Sequence, residues 1–320
     1  MAPRGHAFVN PQHRAVVVKE IAFDLGFHSC GITDLSPTPH SQQLAEWLDN
    51  GFAGTMAYMH RQEHQRKEPA GIIPGANRAV VVTRNYNSTD PPTDRSRGKV
   101  AKYARGRDYH ETLREPLQQL ADEVARLGGP STIAKAFLDA GPVPERELAQ
   151  RAGLGWIGKN TMLIDPHAGS FLFIGSVLTN ADLAVDAPFE ADRCGNCRLC
   201  LDACPTGAFP DERVLDSRLC ISYLTIEYRG EIEPSIASQM ENWVFGCDIC
   251  QDVCPWNHKF AQPASDPVLE HEPQLATVDL EAMAEISDEE FDRRYGWTAM
   301  ERPGAAGMRR NARTVLPSGP

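Results

Sequence analysis

No stretch of eighteen consecutive apolar residues occurs in this chain, which gives no reason to expect a membrane-spanning helix or a membrane partner. The opening segment MAPRGHAFVNPQHR lacks the apolar core of a secretory leader, so a cytoplasmic location is expected. Nor is there an excess of positive charge: 32 Lys and Arg against 43 Asp and Glu leave a formal net charge of -11. That balance argues against indiscriminate binding to phosphate backbones, although a local basic strip can sit on an acidic protein. Outside the cysteines there is neither an internal repeat nor a low-complexity tract. What remains is 320 residues, 42% of them hydrophobic, enough to bury the core of one large domain or two.

Cysteine is what the chain does have. Nine in a cytoplasmic protein point to metal or redox chemistry, because a reducing compartment does not favour structural disulfides. Cys30 stands alone and reads as a buried, inert thiol. The other eight fall between Cys194 and Cys254. Cys194, Cys197, Cys200 and Cys204, followed by Pro205, form the Cys-x2-Cys-x2-Cys-x3-Cys-Pro run of bacterial ferredoxins. Cys247, Cys250 and Cys254, followed by Pro255, repeat its last three members, and Cys220 stands in for the first. In two-cluster ferredoxins the cysteine before proline crosses to the other cluster. That rule assigns Cys194, Cys197, Cys200 and Cys254 to one [4Fe–4S] cluster and Cys204, Cys220, Cys247 and Cys250 to a second. A pair of zinc sites is the competing reading, but zinc ribbons do not need the interlocked third cysteine and proline.

The residues before the cysteines read as mixed α and β. Apolar spacing places helices at 15–25, ending at Gly26, and at 41–50, starting from a Ser41 cap and ending at Gly51. A third runs from Glu111 to Leu127 and stops at Gly128-Gly129. Strands are expected at 78–86 (RAVVVTRNY), 132–138 (TIAKAFL) and 171–178 (FLFIGSVL), with a turn-rich loop NSTDPPTDRSRG at 87–98. Past the cysteines the chain turns polar and acidic, then shows Ser287 and Glu290 as a capping box before a short helix.

KYARGRDYH (102–110), FLDAGPVPERELAQRAGLGWIGKNTMLI (137–164), the cysteine pattern and RRNA (309–312) together resemble the epoxyqueuosine reductase family over about residues 15–315. The resemblance implies an α+β protein: a nitroreductase-like cobalamin-binding catalytic domain (1–185), a bacterial two-cluster ferredoxin-like domain (186–262) and a short helical tail (263–320) available for tRNA contact. It implies an oxidoreductase of queuosine biosynthesis that reduces epoxyqueuosine to queuosine at the wobble position of tRNA with a GUN anticodon. Electrons from an external low-potential donor would pass through both clusters to base-off cobalamin, and a monomer is expected. The cofactor supplies the difficult chemistry, while the protein supplies placement, a dry cavity and an acid.

The same resemblance makes Asp139 the proton donor. From its position alone, after an apolar strand and before AGPVPER, it also reads as the N-cap of the next helix, and burial there would raise its pKa. Arg61, Tyr103, Trp156, Ser222, Glu227 and Asp248 are the cofactor-binding candidates. For Tyr103 and Trp156 ordinary packing competes, and for Asp248 shaping of its loop or tuning of cluster potential does. His110 and Lys159 belong to the same motifs. The near-match Asp165-Pro166-His167-Ala168-Gly169 to a cobalt-ligating histidine motif reads as a turn. Lys99, Lys102, Arg105 and Arg107 form one candidate phosphate strip, and Arg309, Arg310 and Arg313 a second. Some family members continue into helical repeats that embrace tRNA, so a smaller anticodon grip is expected here. A reductive dehalogenase and a noncatalytic electron-transfer protein are the alternative functions; the missing twin-arginine leader weighs against the first.

Overall fold

A computed structural model describes residues 10–91, 94 and 96–316; most of the opening segment and residues 92, 93 and 95 of the 87–98 loop lie outside the described residues. Its strands are β1 (Ser29–Asp34), β2 (Arg78–Asn85), β3 (Arg97–Val100), β4 (Ala134–Leu138), β5 (Trp156–Ile157), β6 (Leu163–Ile164), β7 (Leu172–Thr179), β8 (Trp243–Phe245) and β9 (Thr277–Asp279). Four of them make an antiparallel sheet in the order β1-β2-β7-β4. The run of valines in β2 is continuous because both faces of this sheet are covered. Val80 and Val82 meet the helices Pro11–Asp24 and Arg114–Gly128, while Ala79 and Val81 meet Leu148 and Ala149 of the helix Glu145–Arg151. Leu117, Leu120, Ala121 and Val124 supply the buried stripe of the second helix at the three- and four-residue spacing that one helical face requires. The edge strand β4 ends at Leu138, so the next residue, Asp139, leaves the sheet at its margin.

Several boundaries differ from expectation for local reasons. The first helix starts at Pro11 because Asn10 Oδ1 caps it, accepting the His13 N–H at 2.8 Å. Ser41 is not a cap: it is the first helical residue, and His40 stands at the capping position with its N–H already held by Thr38 Oγ1. The 111–127 helix is split into Tyr109–Thr112 and Arg114–Gly128, because Asp108 caps a separate first turn through the His110 N–H. Ser287 accepts the Glu290 N–H at 3.1 Å, but the Glu290 carboxylate turns to Arg293, so half of the capping box forms.

The segment after residue 262 is more than a tail. β9 pairs antiparallel with β3, and β3 pairs parallel with β8, giving a three-stranded sheet from three distant parts of the chain. Behind it one core joins Val100 and Ala104, Val244 and Phe245, and Val278, Leu280, Met283, Met308 and Ala312. Gly98 sits at the crowded centre of that sheet, where a Cβ would come within 2.6 Å of Val244. Among the described residues no helix is long and apolar enough to cross a membrane.

Candidate functional site

Cys194, Cys197, Cys200 and Cys254 line one cavity, closed by Ile164, Asn160 and Trp256. Cys204, Cys220, Cys247 and Cys250 line a second, walled by Ala208, Leu215, Ile221 and Ile249. Each set therefore contains one cysteine that precedes proline in the other run. Local structure explains how the thiols converge. Cys220 and Cys254 sit at the starts of the helices Ile221–Ile226 and Pro255–Phe260, and Gly246, at φ +64, lets Cys247 follow β8 where a Cβ would press on Ala101. Among the described residues no three His, Cys, Asp or Glu side chains gather as ligands of a single ion; the thiols are arranged round cavities instead.

Burial pushes the Cys200 thiol up to about 11, with Cys194, Cys254 and Cys197 adding to the rise. Burial likewise raises Cys247 and Cys250 well above the usual thiol range, and neighbouring thiols of their set contribute. Thiolates that would repel one another suit a multiply charged, sulfur-bound iron cluster. N–H donors are already aimed at them: Trp156 Nε1 lies 3.4 Å from Cys194 Sγ, and the Ala208 amide 3.4 Å from Cys204 Sγ. The amides of Ser222 and Tyr223 face Cys220, that of Ile249 faces Cys247, and those of Trp256 and Asn257 face Cys254. Such donors stabilise charge on sulfur and tune a bound cluster. The donor set fits two clusters.

Asp139 turns the chain out of β4 with φ +48, a left-handed conformation that aspartate tolerates better than most residues. Its carboxylate accepts a hydrogen bond from the Tyr109 hydroxyl, and its N–H donates to Glu145 Oε1 at 2.9 Å. The helix Glu145–Arg151 takes no side-chain cap, and Pro144 occupies its capping position, so Asp139 is not that cap. The buried setting expected for Asp139 is also absent: the residue is exposed. Glu145 bears the desolvation instead, and with the Asp139 charge beside it is pushed up to about 8.

Tyr103 connects this loop to the second cysteine set. Its ring lies 6.0 Å from Tyr109 and 5.8 Å from Phe245, and it would touch a Cβ placed on Gly246, the neighbour of Cys247. On the open side Tyr58 and Arg302 feel the Asp139 charge, and Arg302 pairs with Glu227 at 3.1 Å. Asp139, Tyr103 and Glu227 thus lie close round one region, the Asp139 charge acting on Tyr103, Tyr58 and Arg302 and Arg302 pairing with Glu227. Ser222 lies beside Cys220, and exposed Arg61 ends the helix Ala57–Arg61. Tyr58, Arg66, Tyr109, Glu145 and Arg302 were not singled out from the sequence. Tyr109 and Glu145 lie in segments already quoted, KYARGRDYH and FLDAGPVPERELAQRAGLGWIGKNTMLI, whereas Tyr58, Arg66 and Arg302 carry no local signal, because the meeting of all five depends on the tertiary fold.

Other candidates sit elsewhere. Trp156 is buried away from Asp139, with Phe189 at 5.6 Å and Trp256 at 4.8 Å; an indole with its N–H on Cys194 belongs to the wall of the first cysteine set. Lys159 lines the same cavity and pairs with Glu212 at 2.8 Å. Asp248 is buried, accepts the Lys102 N–H at 2.7 Å, and is pushed up to about 6, chiefly by burial. His167 lies in the tight turn between Asp165 and Gly169, exposed, and His110 pairs with Asp108. Burial pushes the Cys30 thiol up to about 12.

Neither basic strip is presented as expected. Lys102 and Arg105 are 3% and 4% exposed and paired with Asp90, because burying a cation requires a partner. Lys99 pairs with Glu241, and Arg107 with Glu270. In RRNA, Arg310 donates to the carbonyls of Leu224, Tyr228 and Gly230, and Asn311 to those of Thr225 and Val244. Arg309 and Arg313 pair with Asp288 and Glu285.

Two four-thiol cages in one α+β chain, with an exposed carboxyl group linked to the second through Tyr109 and Tyr103, define an iron–sulfur redox protein. Comparison agrees: residues 193–257 match the family described as 4Fe-4S double cluster binding domain, and residues 66–140 match Epoxyqueuosine reductase QueG, DUF1730. An epoxyqueuosine reductase from Pseudomonas aeruginosa is 38% identical over 97% of this chain and 87% of its own length. One from Cellulophaga algicola is 37% identical over 92% of this chain and 95% of its own. The chain belongs to the epoxyqueuosine reductase family and has the fold of its solved members. A structure of an epoxyqueuosine reductase with an epoxyqueuosine-modified tRNA-Tyr stem loop superposes with a TM-score of 0.85 at 30% identity, covering 94% of this chain and 80% of that one. A Bacillus subtilis structure with the same scores has its catalytic aspartate loop swung out of the active site.

Proposed function

We propose that this protein reduces epoxyqueuosine to queuosine in tRNA, with Asp139 as the proton donor and the two cysteine sets as the electron path. Conversion of the epoxide to an alkene consumes two electrons and two protons and releases water. Cobalamin, when bound, supplies the low-potential chemistry at cobalt that opens the strained C–O bond. The observation that carries this reading is the short path from an exposed carboxyl group to the second cysteine set: Asp139 is bonded by Tyr109, Tyr109 meets Tyr103 at 6.0 Å, and Tyr103 reaches Gly246, the neighbour of Cys247.

The residues present fit a broad ring edged with amides. Tyr103 offers an aromatic edge, Ser222 a hydroxyl, and the Glu227–Arg302 pair both acceptors and donors. Arg61, exposed at the end of the helix that carries Tyr58, could meet a phosphate or an amide. Residues 1–185 would hold most of this nitroreductase-like site and 186–262 the clusters, while Asp248 acts indirectly by fixing Lys102. Tyr109 hydrogen-bonds the Asp139 carboxyl group and so orients it toward the reacting oxygen.

Anaerobic reconstitution tests the reading. The expected product holds about eight irons and about one cobalt per chain and turns over an epoxyqueuosine-containing stem loop. Asp139→Asn is expected to keep the iron and cobalt spectra and lose turnover by roughly 100-fold or more. Failure to take up cobalamin would instead favour an electron carrier, and near-normal turnover by Asp139→Asn would remove the acid role.

A further inference from the structure

The Asp139 turn is exposed and its backbone is strained, yet it is tied down at three points. Glu145 Oε1 holds the Asp139 N–H at 2.9 Å, the Tyr109 hydroxyl holds its carboxylate, and Arg66 reaches the Gly141 carbonyl at 3.2 Å. Arg66 is itself fixed by Gln62 at 3.1 Å, and its Nε is buried without a partner. Tyr109 is buried and stacked on Phe173 with centroids 4.4 Å apart. The anchors come from three separate elements, all more firmly seated than the turn they hold. Asp139 and Gly141 both have positive φ, at +48 and +111, so neither end of the turn is held by ordinary backbone preference.

We propose that Glu145 is a positioning residue for the reaction: its hydrogen bond to the Asp139 N–H, with Arg66 on Gly141, clamps the loop so that Asp139 keeps its place beside Tyr109. The Tyr109 bond orients the carboxyl group but cannot fix the peptide that carries it. The Glu145 bond acts on that peptide directly and spans only six residues, from the end of β4 to the first turn of the next helix. This inference rests on the reading of Asp139 as the acid.

The test compares Glu145→Ala and Glu145→Gln in reconstituted holoprotein, since glutamine keeps an oxygen acceptor for the N–H and alanine does not. Amide exchange of a peptide covering residues 138–143 reports the clamp without reference to turnover. Glu145→Ala is expected to speed that exchange and to lower kcat roughly 10- to 100-fold, as small misplacements of a reacting group do, with KM for the stem loop changed less than about twofold. Glu145→Gln is expected to restore slow exchange and to bring kcat to within about threefold of the parent. Unchanged exchange in Glu145→Ala, or equal loss of kcat in both variants, would overturn the proposal. So would faster exchange at full turnover while Asp139→Asn is inactive. If Asp139→Asn is fully active, the acid reading fails by itself, and the exchange measurement still decides whether the clamp exists.

Discussion

Glu145 and Asp139 place two carboxyl groups side by side, and the cost falls on Glu145, whose pKa rises from the ordinary 4.5 to about 8. A carboxyl group whose folded pKa lies above its unfolded value keeps its proton longer when folded. The folded state then binds more protons than the unfolded one, and stability falls as pH rises from about 4.5 to about 8. Glu145→Gln cannot ionise, so its thermal midpoint is expected to decline less than that of the parent between pH 5 and pH 8; parallel declines would show that Glu145 titrates normally. A buried cation gives a further test. Lys102 Nζ bonds both Asp90 and Asp252 at 2.7 Å, and Lys102→Met would leave those carboxylates without their shared partner. Because both carboxylates are partly exposed and Asp90 keeps Arg105, a loss of about 1 kcal/mol in denaturant unfolding is expected, less than for a fully buried pair. Cys30 is the opposite case, an isolated thiol in β1 pushed up to about 12 by burial. It should stay unmodified by iodoacetamide at pH 8 in the folded protein and react once the chain is unfolded.

At the level of elements, the three-stranded sheet makes the last segment a structural requirement. Val278, Leu280, Met308 and Ala312 fill a core whose other half is Val100, Ala104, Val244 and Phe245. Truncation after residue 262 would expose that half, so the shortened chain is expected to be insoluble or to lose cooperative unfolding, even though every cysteine is retained. A soluble, cluster-loaded truncation would contradict this. The same sheet shows which parts of the fold were legible in the sequence. The cysteine runs could be read because ferredoxin spacing is local, and β2, β4 and β7 because long apolar runs between breakers announce buried strands. β3, β8 and β9 are four, three and three residues long and come from separate regions, so no window contains their signal. The site divides in the same way. Asp139 and the cysteines could be proposed from motifs, whereas the contacts of Glu145 and Arg66 with the Asp139 turn form only when the helix start and the end of β4 meet. Trp156 lies against Cys194 and not beside Asp139, and a tryptophan in a glycine-rich motif carries no mark of which cavity it will approach.

For the whole molecule, a net charge of -11 must coexist with an RNA substrate, and the paired state of its cations decides where the RNA can be held. Arg310 and Asn311 satisfy five carbonyl acceptors and join the last helix to the helix Ile221–Ile226 and to β8. They are therefore structural, and Asn311→Leu would leave two carbonyls unpaired in the core. Arg309 and Arg313 are held less: each forms an ion pair with an exposed carboxylate, which contributes little to stability, and Arg309 adds a single bond to the Ile286 carbonyl at 2.8 Å. Glutamine at both positions keeps an N–H donor for the Ile286 carbonyl while removing the charge, so the double variant is expected to fold and to isolate the effect of the charges on binding. A cation that contacts a phosphate contributes about one unit to the slope of log affinity against log salt. Because both arginines already face carboxylates, the double variant is expected to bind the modified stem loop within about twofold of the parent and with the same salt slope. A slope shallower by about two units would instead return the end of the RRNA helix to the RNA-binding surface. The expected result moves the search for phosphate contacts to other exposed cations, among them Arg61 at the end of the helix Ala57–Arg61.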